Sequence, residues 1–421
     1  MVNDLYGNLG GHPSEQKNLW LQYGVVGNSQ PAPLPQVNNL LPHKISNNNS
    51  LLMPEEYHKA ISKTKSATII INVVASIAIA LVFLVSVLIG GTTGGVLTFV
   101  LALIPLTAVI LSTKWIGKWD PEPFHIRLMS FLWGAIGSVI LTFILAPLFY
   151  LLFPFVAESM ALNATLQAPV VEEFAKGIFV LTIALFFKKY MDGPIDAVVY
   201  MVLVAAGFAF TENILYFIQS LSSVGVIGLG FTFVMRGLMS PFAHALFSLP
   251  MGILIGLAIK QRRSKIGILG FALLGYLPAV FLHALWNGSA SFIPDTIVWL
   301  VFYFVVEMPL FIGAVFLITW LRKQEALRTY KRLTEYAWEG HFSQRDVETL
   351  GTWEGRRYSR SWAKTKSPHA LYVVNKLNKD VVDLAAIKEE KEFGNVTNEL
   401  LHKEAVLLNQ VKHDKHLMLQ V

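Results

Sequence analysis

Eight times along its 421 residues this chain runs for about 20 residues or more with almost no charge. That is the length a helix needs to cross the hydrocarbon core of a bilayer. The runs lie at about 67–90, 93–113, 128–153, 168–187, 195–218, 237–259, 266–290 and 296–320. They predict an all-α, polytopic membrane bundle of about eight transmembrane helices. Composition agrees: 54% of residues are hydrophobic and 15% charged, against roughly 25% charged in soluble domains. A Gly-rich piece, 224-VGVIGLGFTFVM-235, either extends the sixth helix or dips in as a re-entrant segment.

The connections carry an alternating charge pattern. Lys59, Lys63 and Lys65 precede the first run; Lys114, Lys118 and Arg127 follow the second; Lys188 and Lys189 follow the fourth. The stretches 260-KQRRSK-265 and 322-RKQEALRTYKR-332 follow the sixth and eighth, whereas the connections between contain neither Lys nor Arg. By the positive-inside rule both termini are expected in the cytoplasm, with the protein in the plasma (inner) membrane. Residues 1–65, rich in Asn, Pro, Gln and Gly, read as a disordered cytoplasmic extension. Residues 66–321 form the membrane domain and 322–421 a charged cytoplasmic tail with helical patterns. The net charge of +6 is spread over loops and tail, without the basic block that nucleic-acid binding requires. The chain has no cysteine, which removes disulfides, thiolate metal sites and cysteine nucleophiles.

Polar residues inside the runs are the functional signal, because charge at bilayer depth is costly. Glu172 and Glu173 stand together in 168-APVVEEFAKGIFVLTIALFF-187, with Lys176 one turn on. At about 1.5 Å per residue, Glu173 lies roughly 21 Å from the inner end of its helix. The same rise gives roughly 24 Å for Glu212, 22 Å for His244, 26 Å for His283 and 32 Å for Asn287. Four helices of alternating direction thus bring polar groups to similar depth, in the outer half of the bilayer. A shared buried site is expected. Lys176 can reach either glutamate, and adjacent glutamates point about 100° apart, so one faces the site while the other is held. His283 and Asn287 share one helical face.

Such a set suits peptide hydrolysis. A carboxylate held away from water is a competent general base, and imidazole or carboxamide can stabilise an oxyanion. Other intramembrane protease signatures are absent: there is no HExxH, no GxGD and no GxSxG. No ligand pair has a recognised zinc spacing, so a metal-free glutamate–histidine site is the expectation. Were a metal held there, it would be zinc on Glu173, His244 and His283. The bland reading of the glutamates is an interhelical ion pair with Lys176 and Arg236. Asn213 can equally be a helix–helix hydrogen bond. Glu307 reads as structural, and Trp115, Trp119, Trp299 and Trp320 read as interface anchors.

The order 172-EEFAK-176, 208-FAFTEN-213, His244 and 283-HALWN-287 resembles the PrsW family of membrane proteases. That family is related to the CAAX prenyl endopeptidases and bacteriocin-immunity proteins. The resemblance covers residues 68–320, and 336-YAWEGHFSQRDVETLGTWEGRR-357 is similar to tails of actinobacterial members. It implies glutamate-dependent hydrolysis of a membrane-anchored protein, anti-sigma factors being one known substrate type. Glu172 or Glu173 would then activate water, His244 would assist or orient substrate, and His283 with Asn287 would stabilise the oxyanion. CAAX enzymes carry His where this chain has Glu212, so Glu212 is read as a second acid/base group or a histidine's partner. Lys176, Asn213 and Arg236 are read as supporting. The competing readings are a proton-coupled transporter, since buried Glu/His sets also relay protons, and a silent scaffold or immunity protein. The expected partners are the lipid bilayer and a membrane-anchored protein substrate; nucleic acid is not among them.

Overall fold

Polar breaks between apolar runs set the architecture. The computed structural model describes residues 55–419 apart from 395, and the regular structure among them is helical. The chain divides into units Met1–Ser62 and Lys63–Val421. Of the expected disordered extension, residues 1–54 lie outside the described residues. From Glu55 the backbone is helical instead, because 55-EEYHKAISKTK-65 has neither Gly nor Pro to stop a helix running into the first apolar stretch.

The elements are α1 (Glu55–Ile116), α2 (Phe124–Leu152), α3 (Ala168–Phe186), α4 (Pro194–Phe233), α5 (Ala243–Lys260), α6 (Lys265–Phe292) and α7 (Thr296–Trp338). Four further helices follow: α8 (Gln344–Gly351), α9 (Trp353–Lys366), α10 (Pro368–Glu392) and α11 (Asn398–Leu419). Among the described residues, five stretches are long and apolar enough to cross a membrane: Asn72–Ile116, Phe124–Leu152, Pro194–Lys260, Lys265–Phe292 and Thr296–Trp338. The expected runs outnumber them for two physical reasons. Two of the five stretches are folded hairpins. In addition, α3 carries Glu172, Glu173 and Lys176 within 19 residues.

The hairpins turn at glycines. Gly91 and Gly225 adopt φ of 69° and 77°, the left-handed region that other residues avoid. Beyond Gly91 the chain doubles back, so that Ser86 Oγ reaches Gly95 O at 2.8 Å and the Phe83 and Phe99 rings meet at 5.1 Å. Beyond Gly225 it does so again, with Thr232 Oγ1 donating to Ser220 Oγ at 2.9 Å. The 224–235 piece therefore extends the sixth run as a long descending arm, broken at 240–242 and continued by α5.

Helix α4 is the centre of the bundle. Every residue from Ile195 to Phe208 is buried, the pattern of a helix surrounded on all sides. Helix α2 lies against it backbone to backbone: a Cβ on Gly134 would sit 1.9 Å from Val204 O, and one on Gly207 2.1 Å from Phe131 O. The outer faces expose apolar side chains such as Ile140, Phe143, Ile144 and Leu151, as lipid-facing surfaces do. At the other end α7 runs without a break from the apolar run into the charged tail. Its Leu333 and Tyr336 join Val347, Leu377, Val381 and Leu384 in a core of the tail's own. That packing also corrects the expectation for Trp119. It is buried, stacked under Arg356 at 3.6 Å, and donates to Thr329 Oγ1 at 3.1 Å. Trp299 is likewise buried against Tyr303, whereas Trp115 and Trp320 are exposed.

Candidate active site

The chain reaches α3 through an irregular stretch, a single helical turn at Met160–Leu162 and a π-helical segment at Asn163–Gln167. Such π segments recur at functional sites. Tyr276 OH on α6 holds Val170 O at 2.6 Å, and Trp133 Nε1 on α2 holds Ala175 O at 2.9 Å. These contacts pin the turn of α3 that carries Glu172 and Glu173 between two neighbouring helices.

The two glutamates have opposite fates. Glu173 is saturated: Oε1 accepts from Lys176 Nζ at 2.5 Å and meets His283 Nδ1 at 2.9 Å, and Oε2 accepts from Ser248 Oγ at 2.5 Å. Glu172 is also buried, yet its Oε2 has no hydrogen-bond partner. It lies 3.9 Å from Lys176 Nζ and 3.8 Å from His283 Nε2. Lys176 is fully buried beneath the Phe208 ring, 4.5 Å from its centroid, and its Nζ approaches His244 Nδ1 at 3.2 Å. The imidazoles of His244 and His283 stand perpendicular with centroids 5.3 Å apart, and Phe247 stacks on His283.

Around this centre Glu212 Oε2 meets His244 Nε2 at 2.8 Å and pairs with Arg236 Nη2. Arg236 Nε donates to Asn213 Oδ1 at 2.8 Å, and its guanidinium covers Tyr216 at 4.1 Å. Arg236 therefore partners Glu212 and not the paired glutamates of α3. Asn287 donates to Ala164 O at 2.8 Å, tying the π-helical segment to α6. Glu307 stands apart, accepting from Ser289 Oγ at 2.7 Å. Glu172, Glu173, Lys176, Glu212, Asn213, Arg236, His244, His283 and Asn287 thus fall in or directly around one buried cluster. Ser248 was missed, although it lies one turn from His244 on the same face. Phe208 opens the 208-FAFTEN-213 motif, but the cover its ring gives Lys176 was not foreseen.

Two spaces meet at the cluster. A cavity of about 20 Å³, room for a single water, is bordered by Glu212, Arg236, His244, His283 and Asn287. A groove of about 560 Å³ between α2, the Met160–Gln167 stretch and α4 ends on Glu172, Glu212 and Asn287. Its α2 wall is formed by Val139, Thr142, Phe143, Ala146 and Tyr150.

A sequence model of the PrsW family, described as an intramembrane metalloprotease family, matches residues 122–314. Protease PrsW of Geobacillus kaustophilus is 33% identical over 192 residues, covering 40% of this chain and 78% of that protein. The chain belongs to the PrsW family. It is an intramembrane protease, a hydrolase. Protease PrsW of Oceanobacillus iheyensis is 28% identical over 187 residues, or 44% of this chain and 80% of that protein. For the Bacillus subtilis protease PrsW the identity is 32% over 145 residues, or 34% and 59%. No solved structure matches. The PrsW match contains all of α2 to α6 and omits α1 and α8 to α11.

The family's description as metalloproteases bears on the donor set. Glu172, His244 and His283 each offer a ligand atom within 4.8 Å of the other two, and all three are buried. With His283 Nδ1 on Glu173, the free nitrogen is Nε2, and a carboxylate behind a histidine is the usual support of a metal ligand. Two imidazoles and one carboxylate match the protein ligands of catalytic zinc sites, and the unpartnered Glu172 Oε2 would gain a partner. The residues fit a zinc ion, which would displace Lys176 Nζ from His244 Nδ1 or Glu212 Oε2 from its Nε2. The set differs from the sequence expectation in one member, Glu172 in place of Glu173, because Lys176, His283 and Ser248 already occupy both oxygens of Glu173.

Proposed function

We propose that this PrsW-family protease hydrolyses a peptide bond of a membrane-anchored protein, anti-sigma factors or similar regulators being the substrate type in view. The reacting centre is Glu172, His244 and His283. The observation that carries this reading is the buried, unpartnered Oε2 of Glu172, a residue that also lines the groove. A zinc ion held by these three residues would supply Lewis-acid polarisation of the scissile carbonyl and a nucleophile at neutral pH.

The chain's own groups divide the remaining work. Glu173 orients His283 and neutralises Lys176. Lys176 in turn keeps positive charge beside the centre, where an oxyanion would develop. Glu212 is 16% exposed as a side chain and borders both the cavity and the groove. It handles the proton that passes from water to the leaving amine. Arg236 fixes its orientation. Asn287, at the junction of the two spaces, donates a hydrogen bond to the substrate backbone or holds the segment against which it lies. The groove's apolar α2 wall and its polar end suit an unwound stretch of a membrane-anchored chain.

The proposed topology has eight crossings, with the hairpins at Gly91 and Gly225 and with α3 supplying the three that length and composition alone do not count. Both termini are then cytoplasmic, as the Lys/Arg distribution favours, and residues 322–421 form a cytoplasmic domain behind the membrane domain 66–321. The test compares one peptide in two forms, anchored by a transmembrane helix in proteoliposomes and free in solution. Preferential cleavage of the anchored form is expected. Equal cleavage of both would remove the membrane-anchored substrate from the account.

A further inference from the structure

A second buried cluster, built of carboxylates, lies at the end of the bundle where the tail docks. Asp192 precedes α4, Asp196 stands in its first turn, Glu325 comes from α7, and Asp120 and Glu122 come from the connection between α1 and α2. One carboxylate oxygen from each of Asp192, Asp196 and Glu325 lies within 4.8 Å of the other two. Asp196 is 3% exposed and Glu325 8%, and Asp196 Oδ1 and Glu325 Oε2 are both without a hydrogen-bond partner.

Countercharge is short. Arg328 pairs with Asp192 at 2.8 Å and Lys379 with Asp120 at 3.3 Å. Among the described residues no ion pair reaches Glu122, Asp196 or Glu325. Asp196 Oδ2 is used by the backbone, accepting from Asp192 N at 2.6 Å and Gly193 N at 3.2 Å, and the Asp196 carboxyl group also meets those of Glu122 and Asp192. Glu122 is held by Tyr200 OH. Burying carboxylates without a cation or a proton is prohibitive, and a bound cation can take the place of the protons that burial would otherwise force onto them.

We infer that Asp192, Asp196 and Glu325 bind a divalent hard cation of the Mg²⁺, Ca²⁺ or Mn²⁺ class that fastens the tail to the membrane bundle. The donors are all oxygen, with no histidine or thiolate among them, which selects this class over zinc. Glu122 stands behind the ligands and borders a cavity of about 410 Å³ between the α1–α2 connection and α10. Asp192, the least buried of the three, gives a path to solvent. The ion joins three parts of the chain that no covalent link connects: the start of α4, the extension of α7 into the tail, and, through Arg328 and Glu389 at 3.6 Å, α10. It lies apart from the Glu172 centre and owes nothing to the peptidase reading.

The test is direct ion binding by the full-length protein in detergent after chelation and desalting. Calorimetry and Tb³⁺ luminescence with Ca²⁺, Mg²⁺ or Mn²⁺ as competitor read the affinity; thermal unfolding reads the coupling. Saturable binding of about one ion is expected, with a rise in Tm and slower proteolysis of the tail. Asp196→Asn and Glu325→Gln should each weaken binding on the order of 100-fold, the scale at which metal sites lose affinity when their donors or supports are removed. His283→Ala, which disrupts the other cluster, should leave it intact. Failure of the wild type to bind any of the three ions up to ~10 mM, above the ~10⁻³ M of the weakest known calcium modules, overturns the site whatever the variants do. Binding that is lost in His283→Ala and kept in Asp196→Asn overturns it equally.

Discussion

Glu173 holds His283 by its Nδ1, at 2.9 Å, and so leaves Nε2 of that imidazole toward Glu172 Oε2, 3.8 Å away. Adjacent residues in one helix thereby take different parts, one supporting and one reacting. The division rests on how many donors each carboxylate meets: three for Glu173 and none within hydrogen-bonding distance for Glu172 Oε2.

The first prediction separates the two. Glu173→Gln leaves the buried Lys176 ammonium without its nearest carboxylate, and removing one partner of a buried pair costs about 3–5 kcal/mol. A clear fall in Tm is expected together with loss of activity. Glu172→Gln, which removes no hydrogen bond, should abolish activity with little loss of Tm. Unfolding curves of the two purified variants check this, and equal destabilisation would contradict it.

Ser248 supplies a milder probe. Ser248→Ala strips one donor from Glu173 Oε2 and should cost about 1–3 kcal/mol. Lys176 and His283 remain in place, so zinc should be retained and turnover reduced less than in Glu173→Gln. Metal content and initial rates measured on the same preparation give the answer.

Metal removal provides a third. A strong chelator should stop cleavage, and Zn²⁺ should restore it. Glu173→Gln should lower zinc affinity by about 10–100-fold, the effect of losing a histidine's supporting carboxylate. Full activity in protein shown by elemental analysis to be metal-free would return the site to a glutamate–histidine mechanism.

The groove can be blocked from its far wall. Ala146→Trp fills space on α2 opposite Glu172 without touching the cluster. Cleavage of an anchored substrate should fall at least tenfold while zinc content stays at the wild-type level. Unchanged kinetics would mean that substrate enters elsewhere.

At the tail-docking end, burial pushes the Asp120 carboxyl up to about 6 from its ordinary 3.8, with Lys379 opposing the rise. An acid whose folded pKa is raised binds protons more tightly when folded. Its stabilising contribution is therefore complete below the unfolded value and is lost as pH rises through about 6. Chelated protein should lose stability between about pH 4 and 6, and Asp120→Asn should flatten that part of the Tm–pH profile.

Much of the site was legible in the sequence because of the cost of polar groups in lipid. Glu172, Glu212, His244 and His283 stand out in apolar runs, and counting the helical rise brings them to similar depth. What the sequence did not resolve were features set by rotation and by irregular backbone. Two neighbouring glutamates differ by a turn of about 100°, and nothing in their spacing says which one meets Ser248. Asn287 looked like an oxyanion donor, but its carboxamide holds Ala164 O, in a segment that read as part of a loop. The acid cluster stayed hidden because its members are scattered over about 200 residues, at the ends of runs, in connections and in the charged tail, where charge is unremarkable until the tail buries it. The buried Trp119 escaped for the same reason.

The most direct test is single-turnover cleavage of a helix-anchored peptide by zinc-loaded protein in liposomes, comparing wild type with Glu172→Gln. The site described here predicts cleavage by the wild type and a loss of at least about 10³-fold in the variant, comparable to removing about 4 kcal/mol of transition-state stabilisation. Cleavage by Glu172→Gln at the wild-type rate would show that the reacting centre lies elsewhere.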